Sequence, residues 1–119
     1  MKLVLNTWLA FEVEAAAEVL ALAAQLGIEE AVLSDVIAGR PLVSPFAAAK
    51  LAKIEADDDR TDFSLEWALK DLELAAAAAA PDAIPVAGAI AERWRDLADR
   101  GYGGLNVSAA RLRLLGGPR

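Results

Sequence analysis

Lys2 and Asn6 stand four residues apart, so on a helix they share one face and can serve one reaction. An amine held against an apolar cleft can give or take a proton. An amide one turn later can donate to the same oxygen or hold the amine in place. Oxidising an alcohol to a carbonyl needs such a pair, in which one side chain moves the hydroxyl proton while a cofactor takes the hydride. A plainer reading makes Lys2 a solvated terminal residue and Asn6 unrelated to it, because Lys-x-x-x-Asn is a common pattern.

A second candidate group lies at Lys70-Asp71. Glu66 and Lys70 are four apart in the order that favours an ion pair on a helix, and Glu73 lies nearby. Asp71 falls beside Trp67, Leu74 and Ala75, on the face expected to be buried. A buried acid needs a partner or a role, and Arg93 and Arg95 are both candidates. Trp8, Trp67 and Trp94 each lie on an apolar stripe and read as core. Arg111 and Arg113 read as a cationic bias at a helix C-terminus. Asp57, Asp58, Asp59 and Arg60 read as a solvated loop, since the spacing and distal Glu of a calcium loop are absent.

The elements that must position these residues all read as helices. The first runs from about Lys2 to Leu26 and stops at Gly27, with no N-cap before it. Its stripe of Leu9, Val13, Ala16, Ala17 and Leu20 continues the side that carries Lys2 and Asn6. The polar side opposite holds Thr7, Glu14, Glu18 and Gln25. Leu3, Val4, Leu5, Trp8, Leu9 and Phe11 nevertheless surround the helix, and a helix apolar on every side wants burial on every side. A second helix spans about Glu29 to Ala38, ending at Gly39. Ser44-Pro45 opens a third, with Ser as N-cap and Pro at the first helical position, which continues to about Ala56. Thr61-Asp62-Phe63-Ser64 starts a fourth that reaches Ala80 before Pro81. Pro85 opens a fifth, to Arg100, with Ile90, Trp94 and Leu97 on one stripe. Asn106 can cap a short last helix from Val107 to Leu114, and residues 115–119 form a flexible tail. No stretch alternates with period two, so the expectation is one all-α domain of about six helices with a long first helix.

Composition narrows the function classes. A net charge of −6 argues against nucleic acid. With no Cys and no His, the chain supplies no disulfide, thiolate, His-based triad or typical zinc site, and no metal site is expected. Glu12 and Glu14 follow the first apolar run, unlike a signal peptide. No uncharged run approaches the ~18 residues of a membrane span. A cytoplasmic protein is the default, despite 56% hydrophobic residues and a mean hydropathy of +0.34. Much of that excess is Ala; the rest suggests an attached domain or partner subunit.

The order Lys2-Leu-Val-Leu-Asn6, Glu18, Gly27, Ser44-Pro45, Phe63-Ser64-Leu65, Lys70-Asp71-Leu72 and Gly101-Tyr-Gly-Gly-Leu-Asn106-Val-Ser108-Ala109 resembles the β-hydroxyacid dehydrogenase family. The resemblance is to the C-terminal helical domain of 3-hydroxyisobutyrate dehydrogenase-like members, a fold shared with 6-phosphogluconate dehydrogenases. It covers nearly the whole chain, to about Leu114. It implies that Lys2 is the catalytic acid/base, that Asn6 binds or orients substrate, and that Lys70 approaches the nicotinamide cofactor. It also implies NAD or NADP in the intact enzyme and subunit contacts, as in a homodimer, through the helical surfaces.

The family places a Rossmann domain with a G-x-G-x-x-G fingerprint before this point, and this sequence contains no such fingerprint. The expectation is a C-terminal substrate and oligomerisation domain, inactive and without bound cofactor on its own, whose Rossmann domain lies elsewhere in the same or a separate chain. The alternative is a stand-alone helical oligomerisation or protein-binding module. Asn106 stands where the family often has Asp, and either residue can cap a helix. 6-Phosphogluconate dehydrogenases carry His before the Asn, where this chain has Leu5. Imine reductases usually replace the Lys, which this chain keeps. Both points favour a small hydroxyacid or its semialdehyde or keto counterpart.

Overall fold

The computed structural model describes residues 1–37, 39–56, 62–80 and 82–114. Among them are five α-helices: α1 (Lys2–Gln25), α2 (Glu30–Ile37), α3 (Pro45–Glu55), α4 (Leu65–Ala78) and α5 (Pro85–Leu97). A π-type turn at Ala98–Tyr102 and a 3-10 turn at Val107–Arg111 follow. The expected all-α domain with its long first helix is therefore present, and no strand forms among the described residues. The readings of Ala38, Asp57–Thr61, Pro81 and the 115–119 tail lie outside the described residues.

The helix ends follow local chemistry. After α1, Gly27 takes φ +76°, and the N–H groups of Gly27 and Ile28 donate to the carbonyls of Ala24 and Ala23 at 3.1 and 2.8 Å. That is a Schellman motif, and a residue with a Cβ would be strained there. At α3, Ser44 Oγ accepts from Ala47 N at 3.0 Å ahead of Pro45. At α4, Ser64 Oγ accepts from Trp67 N at 3.3 Å.

The two N–H groups before that cap bond are satisfied from far along the chain. Leu65 N donates to Leu105 O and Glu66 N to Gly103 O, both at 2.9 Å. The approach is close at Gly103, where a Cβ would stand 3.2 Å from that of Glu66, so a larger residue would press the two segments slightly apart. Asn106 completes the junction and corrects an expectation. It is fully buried, and its side chain does not cap the following turn. Its Oδ1 instead accepts from Asp62 N and Phe63 N at 3.3 Å, while Nδ2 donates to Ser108 Oγ at 2.8 Å. The expected last helix is correspondingly short: after Arg111, Leu112 is extended and Arg113 takes φ +66°. Arg111 stands in the last turn of this 3-10 segment and its Nη1 donates to the Ser108 carbonyl at 3.4 Å, so the cationic end closes a 3-10 turn and not the expected longer helix.

α1 runs through the middle of the domain, against α3, α4, α5 and the 3-10 turn. Its Val13 and Ala17 join Leu65, Leu72, Trp94, Leu97 and Val107 in the main core. Ala16 and Leu20 form a smaller core with Leu51 and Ile54 of α3. The other side of α1 stays open, with Val4, Leu5, Trp8, Val19 and Leu22 all exposed. Two tryptophans depart from the core reading. Trp94 is fully buried, but Trp8 is 67% and Trp67 58% exposed.

Candidate functional site

The heads of α1 and the middle of α4 meet through one polar contact. Asn6 Nδ2 donates to Asp71 Oδ2 at 2.7 Å. Asp71 is 9% exposed, and this bond answers the question its position raised. Neither Arg93 nor Arg95 is its partner: Arg93 binds Glu14, and Arg95 Nη2 pairs with Glu73 at 2.7 Å. A carboxylate offers only acceptors, so Asp71 selects the NH2 side of the Asn6 amide. The amide oxygen and the second N–H of Asn6 are thereby left for other partners.

Met1, Leu3, Val4 and Thr7 border the same groove as Ala75, Ala78 and Ala79, so α1 and α4 run antiparallel. Lys2 lies one turn before Asn6 and is exposed, at the open end of this pair of helices. Lys70 adjoins Asp71 and is also exposed. Its Nζ stands 5.1 Å from the centre of the Trp67 ring. Among the described residues no ion pair joins Lys70 to Glu66, so the indole takes the place of the expected carboxylate. A cation over an aromatic face is favourable by about 0.5–1 kcal/mol at an exposed site. The structure thus brings Asn6 and Asp71 together directly, and sets Lys2 and Lys70 on the two segments that this bond joins.

A second polar cluster escaped the sequence reading, which put Glu14 on the solvent side of α1. Glu14 is 4% exposed. Its Oε2 accepts from Arg93 Nε at 2.8 Å, and its Oε1 accepts from Arg93 Nη2 at 2.6 Å and from Trp94 Nε1 at 2.7 Å. Arg93 also donates to the carbonyls of Leu112, at 3.2 Å, and Ala110. The guanidinium therefore ties α1, α5 and the 3-10 turn together. Burial pushes the Glu14 carboxyl up, but the bonds from Arg93, Glu18 and Trp94 outweigh it and hold it below its ordinary value. Glu18, one turn later, is pushed up to about 7 by its hydrogen bond to Glu14, then by burial and the Glu14 charge. A signal was present in the sequence: Glu14 has Ala10 and Ala17 as neighbours on its own face, a setting for a buried residue.

Lys50 was missed as well. It is buried against the Phe46 ring, at 5.3 Å, and pairs with Asp62 Oδ1 at 3.3 Å. That pair ties α3 to the segment ahead of α4. No group of three His, Cys, Asp or Glu side chains among the described residues could hold a metal ion. Among the described residues no helix is long and apolar enough to cross a membrane.

An all-α domain wound on one long helix has clear counterparts among known proteins. Residues 1–115 match the model of the family described as NAD-binding of NADP-dependent 3-hydroxyisobutyrate dehydrogenase, and the chain belongs to that family. The resemblance read from the sequence is thereby established. Among solved structures, it is similar to 3-hydroxyisobutyrate dehydrogenase from Salmonella typhimurium, with 26% identity and a TM-score of 0.82. It is also similar to the Mycobacterium tuberculosis 3-hydroxyisobutyrate dehydrogenase solved with L-serine, with 28% identity and a TM-score of 0.75. Each match covers 92% of this chain but only 39% and 40% of those enzymes, so the chain spans about two fifths of their length. No curated protein matches the sequence significantly.

Proposed function

We propose that this chain is the C-terminal helical domain of an NAD(P)-dependent dehydrogenase acting on a small hydroxyacid or its semialdehyde or keto counterpart. The observation that carries the reading is the 2.7 Å bond from Asn6 to Asp71. It joins the Lys2–Asn6 turn to the Lys70-Asp71 segment, the two motifs that the family resemblance assigns to substrate and cofactor. The two similar structures are 3-hydroxyisobutyrate dehydrogenases, which supports this substrate class. The nicotinamide cofactor, when bound, supplies the hydride acceptor. Lys70, exposed and held over Trp67, fits a role at that cofactor's edge. Lys2 takes the hydroxyl proton in oxidation and returns it in reduction. Asn6, its amide orientation set by Asp71, orients the substrate.

The dinucleotide-binding domain is supplied from elsewhere, in the same chain or another. We expect no dehydrogenase activity from residues 1–119 by themselves. Turnover by the purified chain alone would overturn that point. The chemical assignment is tested by joining the chain behind the dinucleotide-binding domain of one of the similar enzymes. NAD(P)-linked oxidation of 3-hydroxyisobutyrate should then fall by about 100-fold or more in Lys2→Ala. A chimera that turns over undiminished with Lys2→Ala would sink the assignment.

The exposed Val4, Leu5, Trp8, Val19 and Leu22 of α1 support a subunit interface, and hence a homodimer formed through helical surfaces. They support equally a stand-alone helical oligomerisation or protein-binding module without catalysis. Survival of the Lys2→Ala chimera at full rate would favour that second reading. A cytoplasmic location suits a chain without cysteine.

A further inference from the structure

Asp71 is a buried charge that the ion pairs of this chain leave aside. Arg93 is taken by Glu14 and Arg95 by Glu73, while the Lys70 amine stands over the Trp67 ring. Among the described residues, the Asp71 side chain accepts from Asn6 Nδ2 at 2.7 Å and from no cation. A carboxylate held by a neutral amide polarises that amide, and the amide oxygen becomes the stronger acceptor.

The Asn6 amide is planar, so fixing Nδ2 on α4 also fixes the direction of Oδ1. That oxygen accepts from no described group and is not enclosed. Side chains on a helix lean toward its N-terminus, so Asn6 leans over the turn that carries Lys2. The neighbouring polar groups are already used: Thr7 Oγ1 donates to the Leu3 carbonyl at 2.7 Å, and Trp8 Nε1 donates to Glu12 at 3.1 Å. The Asn6 oxygen is the side-chain acceptor left beside Lys2, whose ammonium carries donors only.

We infer that Asp71 is a positioning residue for Lys2 and acts through Asn6. Its carboxylate holds Asn6 Nδ2, and the Asn6 oxygen so fixed accepts one N–H of the Lys2 amine. The inference rests on the dehydrogenase reading above and assigns each group its task within it. In oxidation the hydroxyl proton passes to the lone pair of the Lys2 nitrogen as the C–H hydride leaves for the nicotinamide ring. Asn6 holds the amine by another N–H, which aims that lone pair at the hydroxyl. In reduction Lys2 returns the proton to the carbonyl oxygen. No proton moves to Asn6 or Asp71, and the second N–H of Asn6 stays free for the substrate.

The test uses the full chain joined behind the dinucleotide-binding domain of a similar enzyme. Asp71→Asn can accept from Asn6 Nδ2 but can also donate to Asn6 Oδ1, so the amide is no longer held one way. Turnover should fall by about fivefold or more, with KM changed by less than about twofold. In Asn6→Ala or Lys2→Ala backgrounds the same change should cost no further kcat. A bond that only ties the helices together predicts an unchanged kcat in Asp71→Asn. Direct contact of Asp71 with substrate predicts a raised KM and losses that multiply with those of Asn6→Ala. Either result overturns the proposal. Full turnover in Lys2→Ala sinks the reading beneath it as well, whereas an impaired Lys2→Ala beside an undiminished Asp71→Asn sinks the positioning role alone. Side-chain NMR of the full chain needs no turnover. One Asn6 Nδ2 proton should exchange with water more slowly than the other, and Asp71→Ala should remove the difference; equal exchange in the parent overturns the proposal.

Discussion

Asn6 Nδ2 lies 2.7 Å from Asp71 Oδ2, although 65 residues separate them in sequence. The bond spans two helices and satisfies a carboxylate that the core has nearly enclosed. Asn6→Ala leaves that carboxylate buried without its donor and should cost about 1–3 kcal/mol. Asp71→Asn should cost less, because its amide oxygen can still accept. Lys2→Ala, one turn away but exposed, should stay within about 0.5 kcal/mol of the parent. Urea denaturation of the three variants checks the order. Equal stability of Asn6→Ala and Lys2→Ala would contradict it.

The pair Glu14 and Glu18 makes stability depend on pH in two opposed ways. Glu14 has a folded value below its ordinary 4.5, so its contribution is present above that pH and lost as pH falls through the folded value. Glu18 is raised from 4.5 to about 7, so the folded state holds its proton more tightly than the unfolded state. Its ionisation cost is absent below 4.5, grows between 4.5 and about 7, and is complete above. Glu18→Gln mimics the protonated form through its amide donor. Its Tm should match the parent in acid and exceed it increasingly toward pH 8, levelling off near there. Thermal melts across this range give the difference curve; a constant offset at every pH would refute the coupling.

Arg93, itself partly exposed, forms an ion pair with the buried Glu14 and also anchors two carbonyls. Arg93→Ala leaves a buried carboxylate uncompensated and should cost about 3–5 kcal/mol. The double change Glu14→Leu with Arg93→Met removes both charges and should be much less harmful than the sum of its parts. A double-mutant cycle by urea unfolding measures the coupling, and strict additivity would count against the pair as a unit.

Trp8 is 67% exposed on the open side of α1, and its Nε1 donates to Glu12 Oε1 at 3.1 Å. If this side forms the subunit contact, Trp8→Glu places a charge at its centre while leaving the core untouched. Sedimentation should show a parent dimer and a monomeric variant with the same far-UV spectrum. A monomeric parent at all concentrations would remove the dimer from the proposed function.

The sequence reading was strongest where one rule acts alone. Ser44-Pro45, Gly27, Pro85 and the stripe of Val13, Ala17 and Leu20 each report a local or periodic requirement, and each element formed close to where it was expected. It failed where a residue's role is set by a partner far along the chain. Glu14 looked solvated because it lies opposite the apolar stripe; the Arg93 and Trp94 donors that enclose it are 79 and 80 residues away. Asn106 looked like a local cap, yet its oxygen serves the backbone 43 and 44 residues earlier. Trp67 looked like core because periodicity cannot say which of two adjacent faces is covered. For the candidate site, residue type and spacing singled out Lys2, Asn6, Lys70 and Asp71. The bond that joins two of them depended on how α1 crosses α4, which no local pattern encodes.

The return of Gly103–Val107 to the start of α4 has a consequence for the order of events in the cell. The first donors of the helix bearing Asp71 find their acceptors only in a stretch made some forty residues later. A nascent chain emerging from the ribosome therefore carries α4 with its first two donors unpaired until Gly103 and Leu105 have been made. The Asn6–Asp71 contact, which spans the earlier and later parts of that chain, should lock late, in the same step that closes the domain. Chains arrested before Gly103 would then be held in an open, protease-sensitive form.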